Sequence, residues 1–258
     1  MTLSKNEVKD KDEQNNVYPY LMEQEYRVNQ AKGLIALGLF KDYTDIRNSP
    51  QQTFGAYQPG DIKYKDVNGD GIVNWDDIVP LKYSYVPQIQ YGFATEFNWK
   101  NFNVSVLFEG VSRVTYFKGG NMYQPFSGST AGNVITDFAN PANRWISREI
   151  SGDPATENPN AKYPRLYYGG SSNNSQSSSF WLSDGSYLRL KNVTLGYTLP
   201  AAWSKKAAMS SVRFFVSGQN LLTLTRYTGL DPEISGSGND NNVYPVARNI
   251  TFGASVSF

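Results

Sequence analysis

The sequence has no cysteine and no histidine. Without cysteine, disulfides, thiolate zinc sites and cysteine nucleophiles are excluded. Without histidine, the commonest general base and the commonest nitrogen metal ligand are gone. An enzyme built from this chain would have to work with carboxylates, lysine or tyrosine alone, and the expectation is that it is not an enzyme. Long apolar runs are missing too. No stretch of about 18 apolar residues occurs, so no transmembrane helix is expected. Residues 1–13 are polar and charged, unlike a signal peptide. For an exported protein the signal is then expected on sequence outside these 258 residues. Excess charge of one sign is also lacking: 24 Lys and Arg against 23 Asp and Glu leave a net charge of +1. With no basic stripe and no nucleic-acid motif, nucleic acid is not an expected partner.

What is abundant is aromatic surface. The chain carries 18 Tyr, 14 Phe and 5 Trp, yet its mean hydropathy is −0.49. That combination suits a sheet that is wet on one face and apolar on the other, as in a porin-type barrel. A carbohydrate-binding β-sandwich has the same composition, so the choice rests on pattern.

Residues 1–25 read as a polar lead or loop, and the rest as barrel strands and outer loops. A strand is predicted over residues 26–40, followed by a short helical turn over 41–47 before Ser49-Pro50. The clearest pattern lies in residues 88–112. Tyr91, Phe93, Thr95, Phe97 and Trp99 alternate with Gly92, Ala94, Glu96 and Asn98. After a two-residue turn at Lys100-Asn101, the apolar face resumes at Phe102, Val104, Val106 and Phe108. This is a hairpin of period two whose arms have the length a tilted membrane strand needs, about ten residues. Residues 113–185 are rich in Gly, Ser, Asn and Pro and read as a long outer loop. Residues 186–199 form a strand in which Leu188 and Leu190 are out of phase with Val193, Leu195, Tyr197 and Leu199. A β-bulge near Lys191-Asn192 reconciles them. Further strands are predicted over 211–224 and 247–258. In the last, Ile250, Phe252, Ala254, Val256 and Phe258 alternate with polar or small residues. An alternating strand that ends on an aromatic is a mark of outer-membrane barrels.

Loop lengths give an independent check. If Phe258 ends at the periplasmic side, counting strands backwards puts residues 225–246, 113–185 and 41–87 outside. The connections 200–210 and Lys100-Asn101 fall inside. Long connections outside and short ones inside are the rule for such barrels. The expected fold is therefore all-β: an antiparallel transmembrane β-barrel segment of about six strands, too few to close a transport barrel.

Residues 66–77 read Asp-Val-Asn-Gly-Asp-Gly-Ile-Val-Asn-Trp-Asp-Asp. The spacing matches an EF-hand-type calcium loop. Asp66, Asn68 and Asp70 supply side-chain oxygens, Gly71 permits the sharp turn, and Ile72 offers its carbonyl. Asn74 acts directly or through water. Asp77 stands where Glu is usual, and its shorter arm predicts weaker binding. Oxygen donors alone favour Ca²⁺ over zinc. The competing reading is a turn rich in Asn-Gly and Asp-Gly that binds nothing.

Several segments together resemble one family. They are Pro59-Gly-Asp-Ile-Lys-Tyr-Lys-Asp-Val-Asn-Gly-Asp-Gly71 with Asp76-Asp77, then Tyr91-Gly-Phe93 and Asn143-Arg-Trp145. Next comes Trp181-Leu-Ser-Asp-Gly-Ser-Tyr-Leu-Arg-Leu-Lys-Asn-Val-Thr-Leu-Gly-Tyr-Thr-Leu-Pro200. Last are Ser217-Gly-Gln-Asn-Leu-Leu-Thr223, Tyr227-Thr-Gly-Leu-Asp-Pro-Glu233 and Tyr244-Pro245. In this order they resemble the C-terminal barrel portion of the SusC/RagA-like TonB-dependent receptors of the Bacteroidetes. Trp75 departs from the polar or small residue more usual there.

The resemblance implies import of glycans or peptides across the cell outer membrane, with a SusD-like surface lipoprotein over the outer face. It also implies energy supplied through TonB, by an N-terminal part that this sequence does not contain. Tyr123, Phe126, Tyr167, Tyr168 and Trp181 are candidate substrate-stacking aromatics; packing of the outer loops or of the lipoprotein accounts for them equally well. Two alternatives compete. One is a soluble, calcium-bearing carbohydrate-binding module. The other is a hydrolase using a carboxylate pair, for which Asp184 and Glu233 qualify by residue type only.

Overall fold

The computed structural model describes residues 1–13, 16–120, 122–126, 134–206, 208–233 and 244–258. The strands are β1 (Thr2–Leu3), β2 (Gln30–Gly33), β3 (Ala36–Leu39), β4 (Gln51–Gln52), β5 (Ile62–Tyr64), β6 (Ile72–Val73), β7 (Val79–Ser84), β8 (Ile89–Trp99), β9 (Phe102–Ser112), β10 (Thr115–Phe117), β11 (Leu182–Asp184), β12 (Tyr187–Thr198), β13 (Ser211–Thr225) and β14 (Asn249–Ser257). The helices are short: α1 (Tyr43–Arg47), α2 (Thr136–Ala139), α3 (Arg148–Ser151) and α4 (Ala201–Lys206). None is long and apolar enough to cross a membrane.

One antiparallel sheet organises the molecule, in the order β1-β8-β9-β12-β13-β14. The register aligns the apolar residues of successive strands in rows. Phe97 lies opposite Val104, Val104 opposite Leu195, Leu195 opposite Val216, and Val216 opposite Phe252. The next row runs Trp99, Phe102, Tyr197, Phe214 and Ala254. The other face carries rows such as Glu96, Ser105, Thr194, Ser217 and Thr251. The apolar rows face outward, with Phe93 62%, Phe97 66% and Phe252 77% exposed. In water such a continuous apolar face would be a liability. In hydrocarbon each buried Phe or Leu contributes roughly 2 kcal/mol, so this face belongs against lipid.

The bulge predicted at Lys191-Asn192 is present. The pairing of β12 with both neighbours shifts between Leu190 and Asn192, which returns Val193 to the apolar face. The two-residue turn also forms: Trp99 pairs with Phe102, and Lys100 takes φ 53°. The helical turn over 41–47 appears as α1. Its N-terminus is fixed by Asp42, whose side chain accepts from the amides of Thr44 and Asp45.

Two expectations are corrected. Residues 26–40 do not form a strand of the main sheet. They break into β2, paired with β7, and β3, paired with β5. Gly33 and Gly38 explain this. A Cβ at Gly33 would come 2.5 Å from the Ser177 carbonyl, and Gly38 sits at φ 111°, so the run bends against packed neighbours and does not extend. Conversely, the polar lead contributes to the sheet: Thr2 and Leu3 pair with Gln90 and Ile89 at the outer end of β8. The chain therefore runs outward in β1 and returns in β8, which leaves the alternation of outer and inner connections intact.

The outer connections are not loose. Residues from 34 to 181 share one core of Leu34, Leu39, Phe54, Ile62, Tyr64, Val73, Tyr123, Phe138, Trp145, Tyr163 and Trp181. Phe138 stacks on Tyr163 at 4.4 Å. Trp145 lies over Gly60, where φ is 86° and a Cβ would sit 2.3 Å from the indole ring. Only glycine fits there on both counts.

Candidate functional site

The acidic loop hangs between β5 and β7 and is tied to the outer core by the parallel pair β4–β6. Its alternating oxygens brace its own backbone. Asp66 accepts the amides of Gly69 at 2.7 Å and Gly71 at 2.8 Å. Asn68 accepts the amide of Asp70, and Asp70 accepts that of Ile72 at 2.8 Å. Asn74 accepts the amide of Asp76. Gly69 and Gly71 adopt φ 78° and 85°, as the winding requires. Ile72 pairs with Gln51 in the parallel ladder.

Asp77 differs from the other five expected ligands. It is fully buried, and its two oxygens accept the amides of Val67 at 2.6 Å and Asn74 at 2.8 Å. Among the described residues, no three acidic side chains converge to a metal-holding cluster. The structure thus brings Asp66, Asn68 and Asp70 to one turn and directs Asp77 into the loop's interior.

Tyr20 donates to the Asp76 carbonyl at 2.8 Å, and Asn68 donates to the Tyr18 hydroxyl. Burial and, next, the negative charge of Asp77 push the Tyr20 phenol above its ordinary pKa. Among the described residues no ion pair offsets the four carboxylates of this loop.

The candidate aromatics divide. Tyr123 and Trp181 are core residues, with the Trp181 indole N–H donating to the Asn174 carbonyl at 2.7 Å. Tyr167 and Tyr168 are exposed, and Tyr168 lies 6.3 Å from Phe126 between ring centroids. Asp184 and Glu233 do not converge. Asp184 faces Lys82 at 3.7 Å, whereas Glu233 is held by Arg189 and Lys191.

Two polar clusters carry no obvious signal in the sequence. On the polar face of the sheet Arg189, 2% exposed, bonds Asp231 at 2.7 Å, Glu233 at 2.6 Å and the Thr223 hydroxyl at 3.0 Å. In the outer core Asp61 bonds Arg165, the Asn174 amide group and the Gln58 backbone. Burial lifts the Asp61 carboxyl above the usual aspartate range, and the Arg165 charge only partly offsets it. Asn173, fully buried, links Gln52, the Ile62 carbonyl and the Tyr64 hydroxyl. The only hints are a lone arginine at a polar register position and asparagines next to an aromatic.

An antiparallel sheet with an outward apolar face, long connections at one end and short ones at the other defines a membrane-barrel wall. The comparisons with known proteins make this specific. No family model matches the chain. Over 249 residues it is 32% identical to TonB-dependent receptor P26 of Formosa agariphila, covering 88% of this chain and 22% of that protein. It is 28% identical over 206 residues to TonB-dependent receptor SusC of Bacteroides thetaiotaomicron, covering 78% of this chain and 18% of that one. The structure of the RagAB peptide transporter superposes with a TM-score of 0.66 at 22% identity, covering 92% of this chain and 23% of that one. The RagAB peptide importer in its open-open state gives a TM-score of 0.65 at 21% identity, covering 97% and 25%. Over most of its own length the chain is thus similar to TonB-dependent receptors, SusC among them, and it spans about a fifth of the length of the curated relatives it matches.

Proposed function

We propose that this chain supplies barrel wall and outer surface to a TonB-dependent importer in the outer membrane, one that takes up glycans or peptides. The observation that carries the reading is the apolar face continuous across β8, β9, β12, β13 and β14, joined to a packed assembly at the outer end only. In this reading TonB energises the whole receptor through parts outside this chain, and a SusD-like lipoprotein covers the outer assembly. Phe126, Tyr167 and Tyr168 stand on that assembly as stacking surfaces for substrate or partner. The name of the RagAB structures, a peptide transporter and importer, supports the peptide option by analogy. The test is solubility. The chain is expected to fold only in detergent or bilayer and to partition with membranes. A folded, monodisperse protein in plain buffer would overturn the reading and favour a soluble calcium-bearing carbohydrate module.

The loop over residues 66–77 takes Ca²⁺ in the same reading, principally on Asp66, Asn68 and Asp70, with the Ile72 carbonyl and Asn74 completing an all-oxygen set. Asp77 contributes less than its position suggests, since it is fully buried while Asp66, Asn68 and Asp70 lie at the surface of the turn. The uncompensated carboxylates support a cation here. Millimolar Ca²⁺ is expected to raise the unfolding temperature by roughly 5 °C over the chelated protein, from mass-action stabilisation of about 2 kcal/mol. Asp66→Asn with Asp70→Asn should abolish the rise. An unchanged temperature in wild type leaves a self-braced turn and no ion site.

A further inference from the structure

At the outer end of the main sheet, where the apolar face meets the packed outer assembly, lies a cleft of about 510 Å³. Its volume falls within the range of small-molecule sites, roughly 300–1,000 Å³. One side is apolar and belongs to the lipid-facing rows: Tyr91, Leu188 and Leu224. Gly110 makes this floor possible. It lies between Tyr91 and Leu188 in register, and a Cβ there would come 2.5 Å from the Tyr91 ring. Tyr91 folds across that gap and donates its hydroxyl to the Tyr187 carbonyl at 2.8 Å. Leu224 remains 56% exposed.

The other side is polar. Ser112, Asp184, Ser186, Thr225 and Arg226 line it. Thr225 donates to the Ser186 carbonyl at 2.8 Å, which fixes the end of β13 against the start of β12. The Ser186 amide donates to Asp184, and Lys82 stands 3.7 Å from the same carboxylate. Burial pushes the Asp184 carboxyl up, but Ser186, Lys82 and Arg226 together bring it below the ordinary aspartate value. Asp184 is thereby an anion already paired with Lys82, while Arg226, which acts on it only through space, is exposed and makes no ion pair among the described residues. Lys82 and Arg226 against Asp184 leave one positive charge in excess at the rim.

We propose that this cleft holds an outer-leaflet glycolipid with a phosphorylated headgroup. Its first acyl segment lies on Tyr91, Leu188 and Leu224; its sugar hydroxyls reach Asp184, Ser186 and Thr225; its phosphate meets Arg226. The occupant follows from the two halves of the site. A soluble sugar would leave the leucine floor unused, a soluble peptide would have to enter from the lipid-facing side on which that floor opens, and an unsubstituted alkyl chain would leave the hydroxyl and charge partners unused. The floor is continuous with the lipid-facing rows, so an amphiphile anchored in the bilayer reaches the site without leaving it. The proposal rests on the outer-membrane reading of the sheet.

The test uses the full chain, folded in detergent, with native mass spectrometry as the readout. Monophosphorylated lipid A is the probe, and an uncharged diglycosyl diacylglycerol and inorganic phosphate are the controls. Wild type is expected to retain one phosphorylated lipid and to bind the uncharged glycolipid more weakly. Arg226→Gln, at an exposed position that does not threaten folding, should weaken retention about tenfold, as expected for a lost charge-assisted hydrogen bond. Leu224→Asn should weaken it without changing the preference for the phosphorylated over the uncharged lipid. Equal retention by wild type and both variants overturns the proposal, and so does full displacement by millimolar inorganic phosphate. The two readings fail differently. A chain folded and monodisperse without detergent overturns the membrane assignment, whereas a detergent-dependent folded chain that retains no lipid overturns only the cleft.

Discussion

Replacing Arg189 by methionine is expected to cost about 3 kcal/mol and to release residues 231–233 from the polar face of the sheet. Arg189 is 2% exposed, and Asp231 beside it is 5% exposed. The guanidinium bonds Asp231, Glu233 and Thr223 at once, with every distance at 3.0 Å or less. Methionine preserves most of the stem volume but removes all three donors. Glu233 keeps Lys191 as a partner at 2.5 Å. Asp231 loses its Arg189 partner and keeps the amides of Glu233 and Val246. A buried carboxylate without its cation is the costly outcome, more so than loss of the pair as a whole. The double variant Arg189→Met with Asp231→Leu should therefore recover part of the loss, a coupling that a double-mutant cycle reads directly. Urea titration in detergent measures stability, and protease cleavage after Arg226 reports release of the segment. A change in stability within about 0.5 kcal/mol would show that the network carries no weight, as surface pairs usually do not.

How much of this is legible in the sequence depends on which solvent shaped each segment. The wall strands face lipid on one side and a polar interior on the other, so β8, β9 and β14 keep strict period two and can be read directly. Even the irregularity of β12 is readable, because Leu188 and Val193 must both face lipid. The outer assembly obeys no such rule. Its short strands are only partly buried and are interrupted by bends, so residues 26–40 show an apolar run whose glycines mark bends and close approaches in place of a membrane strand. Composition misleads most over residues 171–179. Serine and asparagine there signal an open loop by ordinary propensity, yet Asn173 and Ser178 are fully buried. The 66–77 loop is legible as a turn, since each Asx side chain braces a nearby amide. The inward direction of Asp77 comes from a capping box with Asn74, in which its carboxylate takes the Asn74 amide as well as that of Val67, and the calcium-loop spacing masks that signal. Arg189 could be placed on the polar face by register alone, but its carboxylate partners lie more than forty residues further along the chain, beyond any local pattern.

The buried serine and asparagine segment yields the second large effect. Asn173→Leu, nearly equal in volume and more apolar, is expected to destabilise the outer assembly by about 3 kcal/mol despite the added hydrophobicity. The Asn173 side chain accepts from Gln52 at 2.6 Å and donates to the Ile62 carbonyl at 3.0 Å. Gln52 is itself 3% exposed and also holds the Tyr64 amide at 2.6 Å, so it cannot turn to water for a substitute. Leucine at position 173 thus leaves both a buried Gln52 donor and the Ile62 carbonyl with one partner fewer. Each unsatisfied group costs about 1–3 kcal/mol, against a gain of roughly 1–2 kcal/mol from the apolar side chain. The wall should be indifferent, since no residue of this network lies in β8, β9, β12, β13 or β14. The variant is therefore expected to keep a detergent-resistant sheet while residues 51–64 and 171–181 become open to protease and to amide exchange. Uniform loss of protection in sheet and outer assembly would show that the two fold as one unit. Unchanged protection in both would mean that the Gln52, Asn173 and Ile62 contacts do not hold the assembly together.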